Sequence, residues 1–240
     1  MNKPEVIFED EEIMVLNKPS GWIVNDSATV GEQPVIQSWI KSNFKFPIAG
    51  SKDQRNGIVH RLDKETSGCL VVAKTGDAFE NLQGQFKERR VEKTYLALAH
   101  GKVFPAKDEI NVPVGRLPWR RDRFGVLPGG RDSLTHYKLV TYYSKGSDDY
   151  SLLALKPKTG RTHQIRIHLK YLGYPIVSDE FYAGRRTARE DRKWCPRLFL
   201  HAKGISFFHP KTNKKVSFEA DLHKDLQEAL DSLEKTREKS

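Results

Sequence analysis

Asp63 stands in a dense charged run, His60, Arg61, Asp63, Lys64 and Glu65, which passes through Thr66-Ser67-Gly68 into the apolar residues 69–73. A carboxylate among cations can hold a salt bridge, take a proton or attack an electrophilic carbon. A second cluster, TGRTHQIRIH over 159–168, holds Arg161, His163 and Arg166. Guanidinium groups grip anions with two parallel hydrogen bonds. A third stretch, KTYLALAH over 93–100, carries Tyr95, by pattern a half-buried strand aromatic.

The elements that must position these residues follow from spacing. Thr-Ser-Gly ahead of a β-branched run is a strand entry, so Asp63 is expected on a loop anchored by a buried strand. The alternation over 93–100 has period two and predicts another strand. Thr162 is expected to cap a helix running to Leu172, stopped by Gly173 with Pro175 beyond. On that helix Ile165, Leu169 and Leu172 share an inward stripe, and Thr162, Arg166 and Lys170 a neighbouring one. Arg166 therefore lies at the edge of the core, where it needs an anionic partner, in the first place a carboxylate.

Elsewhere, 6–8 and 13–16 read as a hairpin around the acidic turn 9–12. Ile36, Trp39 and Ile40 fall at helical spacing within 33–44, and Asp77 opens a helix whose apolar face is Phe79, Leu82 and Phe86. Residues 134–143 and 151–156 predict an antiparallel pair. Leu222, Leu226, Leu230 and Leu233 give a helical stripe in a Lys/Glu-rich tail.

Lys plus Arg outnumber Asp plus Glu by 41 to 31, a formal charge of +10. That balance favours a polyanionic partner, and nucleic acid is the natural candidate. Over 101–133, Arg116, Arg120, Arg121, Arg123 and Arg131 are interleaved with Trp119 and Phe124. Such a loop is either an RNA-contacting arm or an ordinary charged loop. Cys69 and Cys195 form no paired motif and read as packing residues. His163 and His168 are five apart, a poor match to one helical face, so no metal site is expected. No apolar run reaches the roughly 18 residues of a membrane span, and the N-terminus has no apolar leader. A cytoplasmic monomer without cofactor is the default expectation.

The unbroken string HRLDKETSG, continuing into LVVAKT, resembles the signature loop of the RluA-type pseudouridine synthases. The run FEDEEIMVLNKPSG resembles the opening of that family's catalytic domain, K-x-Y-x-A at 93–97 its second motif, and KPKTGRTHQIRIHL its third. The resemblance covers about residues 5–220. It implies an α+β fold: a single catalytic domain on a mixed, mostly antiparallel sheet with a central active-site cleft. It also implies isomerisation of uridine to pseudouridine in tRNA or ribosomal RNA, with no cofactor and no metal.

By the same resemblance Asp63 is the catalytic residue, Tyr95 lies next to the target base, and Arg166 pairs with Asp63. An adjacent arginine would keep that carboxylate ionised and oriented. RNA contacts are expected from His60, Arg61, Arg161, His163, Arg116 and Arg120. The catalytic domain is expected over 1–220, with 221–240 a helical appendage packed on it. Many relatives carry a small basic domain ahead of the catalytic one. Here the strand pattern starts by Val6, so RNA recognition is expected from the catalytic domain's own loops. A single Asp is unlike the paired carboxylates of glycosidases, and attack at C1′ and proton abstraction from C2′ both stay open. The rival readings are a non-catalytic RNA-binding protein and a metal-dependent nuclease, which would want clustered carboxylates.

Overall fold

The computed structural model describes residues 2–26, 31–118 and 120–236. In chain order its strands are β1 (Glu5–Glu9), β2 (Ile13–Lys18), β3 (Ser67–Ala73), β4 (Glu92–His100), β5 (Lys107–Asn111) and β6 (Val114–Leu117). Then follow β7 (Arg120–Val126), β8 (Leu134–Lys145), β9 (Asp148–Pro157), β10 (Leu200–Phe208), β11 (Lys215–Glu219) and β12 (Glu234–Thr236). The helices are α1 (Ile36–Asn43), α2 (Gly76–Lys87), α3 (Gln164–Tyr171), α4 (Arg185–Asp191) and α5 (Lys224–Asp231). Among the described residues β1–β2, β2–β3, β4–β9 and β8–β9 pair antiparallel and a parallel bridge joins Ile23 to Val35, in keeping with a mixed, mostly antiparallel α+β fold. The chain forms two compact units, 1–93 with 202–221, and 94–201 with 222–240.

In the first unit the expected β1–β2 hairpin forms because Asp10 Oδ1 accepts the N–H groups of Glu12 and Ile13, both at 2.8 Å, closing the acidic turn. β2 pairs with β3, Val15 opposite Val71, and every residue of both strands is buried. Strands buried on both faces carry continuous apolar runs, which is how 69–73 reads. α2 starts earlier than expected. Its cap is Thr75, whose hydroxyl accepts the Ala78 N–H at 3.2 Å, while Asp77 lies in the first turn where an acid suits the helix dipole. Phe79 and Leu82 join Val71 and Phe207 in this unit's core.

The second unit holds the strand order β4-β9-β8-β12, and β5 also pairs with β8. The stretch 101–133, expected as a loop, instead supplies β5 and the two-stranded β6–β7 sheet. Charges on the exposed faces hid the alternation: in β5 only Ile110 is buried. The C-terminal stripe is borne out in part: α5 carries Leu226 and Leu230, while Leu222 precedes the helix and is only partly buried and Leu233 follows it. Leu226, Ala229, Leu230 and Leu233 are buried in one core with Leu98, Leu153 and Phe199. Arg197 grips Asp225 through Nε at 2.6 Å and Nη2 at 2.9 Å. Among the described residues no helix is long and apolar enough to cross a membrane.

Candidate active site

Asp63 is partly exposed on a loop whose backbone is fixed on both sides. Its carbonyl accepts the Thr66 N–H at 3.1 Å, and the next carbonyl, that of Lys64, accepts the Gly21 N–H at 2.9 Å. The Lys64 carbonyl also takes the Lys18 ammonium at 3.1 Å. Lys18 is fully buried at the end of β2 and donates further to the carbonyls of Pro19 and Trp22, at 3.0 and 2.9 Å. A buried ammonium has to be hydrogen-bonded, and here its donors knit two loops together. The loop enters β3 through Gly68, with φ +110°, where a Cβ would stand 2.3 Å from the Ala202 carbonyl oxygen. Only glycine fits there.

The neighbours of Asp63 divide by direction. Leu62 is buried, whereas Arg61 and Lys64 are exposed. His60 turns inward: its ring stacks on Phe86 at 4.8 Å and its Nε2 accepts the Val71 N–H at 2.9 Å. That bond requires the neutral ring with its proton on Nδ1. Burial, helped by the Lys93 cation, pushes the imidazole pKa down to about 3. His60 thus ties the signature loop to β3, and its acceptor nitrogen is used within the fold rather than offered to RNA.

Tyr95 lies on β4 opposite Leu155, half-buried against the second unit's core. Arg166 lies on α3 and is only 3% exposed. The helix departs from the expectation at its start. The residue before it is His163, in the left-handed region with φ 56°, and no side chain caps it. Gln164 does the local work instead: its Oε1 accepts from the Thr159 hydroxyl and the Arg161 N–H, and its Nε2 donates to the Leu134 carbonyl and the Thr135 hydroxyl. Arg166 has the carboxylate partner that its place at the core edge demands, and that partner is Asp179. Nε meets Oδ2 and Nη2 meets Oδ1, both at 2.8 Å. The rings of Phe181 and Tyr182 lie 5.4 and 5.1 Å from the guanidinium carbon.

The other candidate contacts are spread over the second unit. Arg116 and Arg120 are exposed on β6 and β7, Arg116 lying over the Phe124 ring at 5.0 Å. Arg161 donates to the Asp132 carbonyl at 3.3 Å, and His163 Nδ1 meets the Tyr182 hydroxyl at 3.0 Å. Arg123 lies over Phe181 at 5.5 Å. Trp119 and the Arg121 side chain lie outside the described residues. Sequence reasoning missed Lys18 and Gln164, whose burial gave no local signal, and did not link Asp179 to Arg166. Burial raises the thiols of Cys69 and Cys195 to about 11 and 12, so both are held protonated. Among the described residues no group of three or more His, Cys, Asp or Glu side chains could hold a metal ion.

The family model described as RNA pseudouridylate synthase matches residues 12–171. An "Uncharacterized RNA pseudouridine synthase" of Chloroflexus aurantiacus is 40% identical over 91% of this chain and 66% of its own length. A "Ribosomal large subunit pseudouridine synthase D" of Pseudomonas aeruginosa is 33% identical over 98% of this chain and 73% of its own. The chain thus spans about two thirds to three quarters of these relatives. The solved human "RNA Pseudouridylate Synthase Domain Containing 1" superposes with a TM-score of 0.75 at 27% identity, covering 98% of this chain and 89% of that one. The chain belongs to the RNA pseudouridylate synthase family of isomerases.

Proposed function

We propose that this chain converts uridine to pseudouridine in RNA, with Asp63 as the catalytic carboxylate, Tyr95 beside the target base and Arg166 as the cation that pairs with Asp63. The observation that carries the reading is the loop around Asp63, tied down through the Lys64 carbonyl while Asp63 stays partly exposed. A reacting group has to be held in place yet reachable, and this one meets both demands.

The reaction breaks the N1–C1′ bond, turns the uracil and rejoins it through C5, which gives up its proton while N1 takes one up. Atoms are conserved, so no redox partner or activated donor is consumed. Asp63 either attacks C1′ or takes the C2′ proton. The uridine has to leave its stack to be reached, and the face of Tyr95 suits a planar base. The net charge of +10, with Arg61, Arg116 and Arg120 exposed, supports RNA as partner. Residues 1–220 serve as the catalytic domain, with 221–240 as its packed appendage, in the cytoplasm.

Ribosomal large-subunit RNA is the first substrate to test, because relatives at 33 and 36% identity bear that name, and tRNA is the second. The test is tritium release from transcripts labelled at uridine C5, with Asp63→Asn as control. Release by the wild type alone supports the reading. Salt-sensitive binding of both RNAs without release would make the chain an RNA-binding protein instead.

A further inference from the structure

We infer that Asp179 is the positioning residue of the site: it fixes the direction of the Arg166 guanidinium and registers it to the strand that carries Tyr95. The inference rests on the role given to Arg166 above. Arg166 and Asp179 are 3% and 0% exposed. Burying such a pair is costly, and apolar residues of the same volume often serve stability equally well. What an apolar pair cannot do is hold a guanidinium at one angle. Here the fork takes Nε and Nη2 together, which fixes the plane of the group.

The carboxylate is itself locked. Asp179 Oδ1 also accepts the N–H groups of Phe181 and Tyr182, each at 3.1 Å, so the turn that places both rings over the guanidinium is built on the same oxygen. Upstream, the backbone leading to Asp179 is bonded to β4. The Val177 N–H donates to the Leu98 carbonyl at 2.9 Å, the His100 N–H to that of Pro175 at 3.0 Å, and Ala99 bridges Ile176. Leu98 is three residues from Tyr95 on that strand. Asp179 therefore carries the register of β4 across to α3.

The same turn reaches His163. The Tyr182 hydroxyl donates to the Phe124 carbonyl at 3.2 Å and lies 3.0 Å from His163 Nδ1. One carboxylate thus orders Arg166 and Tyr182, and Tyr182 in turn meets His163.

The test compares Asp179→Asn, Arg166→Gln and the double variant in C5 tritium release from the transcript that the wild type modifies best. For Asp179→Asn, kcat is expected to fall about 100-fold, as for a reacting group misplaced by an ångström. KM should stay within about threefold, because binding of RNA is not what the fork serves. The acid limb of the pH–rate profile should also move to higher pH, a change that a purely structural residue would not cause. In the Arg166→Gln background the same substitution should cost nothing more, since Asp179 acts through Arg166. The apolar pair Arg166→Met with Asp179→Leu should regain the thermal midpoint without turnover, which separates folding from positioning.

Wild-type kcat and pH profile in a folded Asp179→Asn protein would overturn the inference alone. So would an equal further loss in the Arg166→Gln background, or turnover recovered by the apolar pair. A wild type that modifies no RNA would overturn the proposed function, and this inference with it.

Discussion

Lys18 donates its ammonium to the carbonyl of Lys64 at 3.1 Å, one residue beyond Asp63. The end of β2 is thereby joined to the signature loop by a hydrogen bond from a fully buried lysine. Lys18→Met leaves the carbonyls of Pro19, Trp22 and Lys64 without this donor. A loss of about 3 kcal/mol in urea unfolding is expected, with reduced turnover in the folded fraction. Unchanged stability would show that the loop is held by its backbone bonds alone.

Two histidines make stability depend on pH. Burial holds His60 near 3 and His168 near 4, against an ordinary value of 6.5. His168 Nε2 lies against the Val112 carbonyl at 3.2 Å and donates to it as a neutral ring. Below pH 6.5 the unfolded chain takes up protons that the folded one refuses, so stability falls as pH is lowered toward 4. The slope from each histidine is at most about 1.4 kcal/mol per pH unit. Urea midpoints at about pH 7 and about pH 5 check this, with the lower midpoint expected at the lower pH.

Two glycines with positive φ should respond very differently to alanine. At Gly68 the added carbon would sit 2.3 Å from the Ala202 carbonyl oxygen, against backbone that cannot step aside. Gly68→Ala is expected to cost more than about 4 kcal/mol or to prevent folding. Gly129 has φ +77° but open space around it, so Gly129→Ala should cost only about 1 kcal/mol. Soluble yield and thermal unfolding of the two variants separate these cases.

The C-terminal helix is part of the second unit's core. Leu226 is fully buried, and Leu226→Ala should destabilise by about 3 kcal/mol in chemical unfolding. A loss under about 1 kcal/mol would mean that α5 is only loosely attached.

Local pattern revealed those elements whose signal is local. The run 69–73 announces β3, and Leu226 and Leu230 announce α5, because apolar side chains at fixed spacing have few alternatives. Ends were harder to read. Thr75 rather than Asp77 caps α2, and α3 begins after His163 with no side-chain cap where Thr162 was expected, since several nearby polar residues could serve equally. The strands within 101–133 were hidden by charged exposed faces. In the candidate site, the need of Arg166 for a carboxylate was legible from its place on the helix. That Asp179 meets it depends on backbone bonds between 175–177 and β4, which no local pattern encodes. The burial of Lys18 was equally invisible, because a lysine beside proline reads as a turn until the three carbonyls around it are seen.

The central claim is that Asp63 carries out isomerisation of uridine. Its most direct test is to incubate ribosomal and transfer RNA transcripts with the protein, digest them to nucleosides and separate these by chromatography. Pseudouridine, equal in mass to uridine but different in retention, is expected with the wild type and absent with Asp63→Asn. Pseudouridine formed equally well by a folded Asp63→Asn protein, or by neither protein on any RNA, would contradict it.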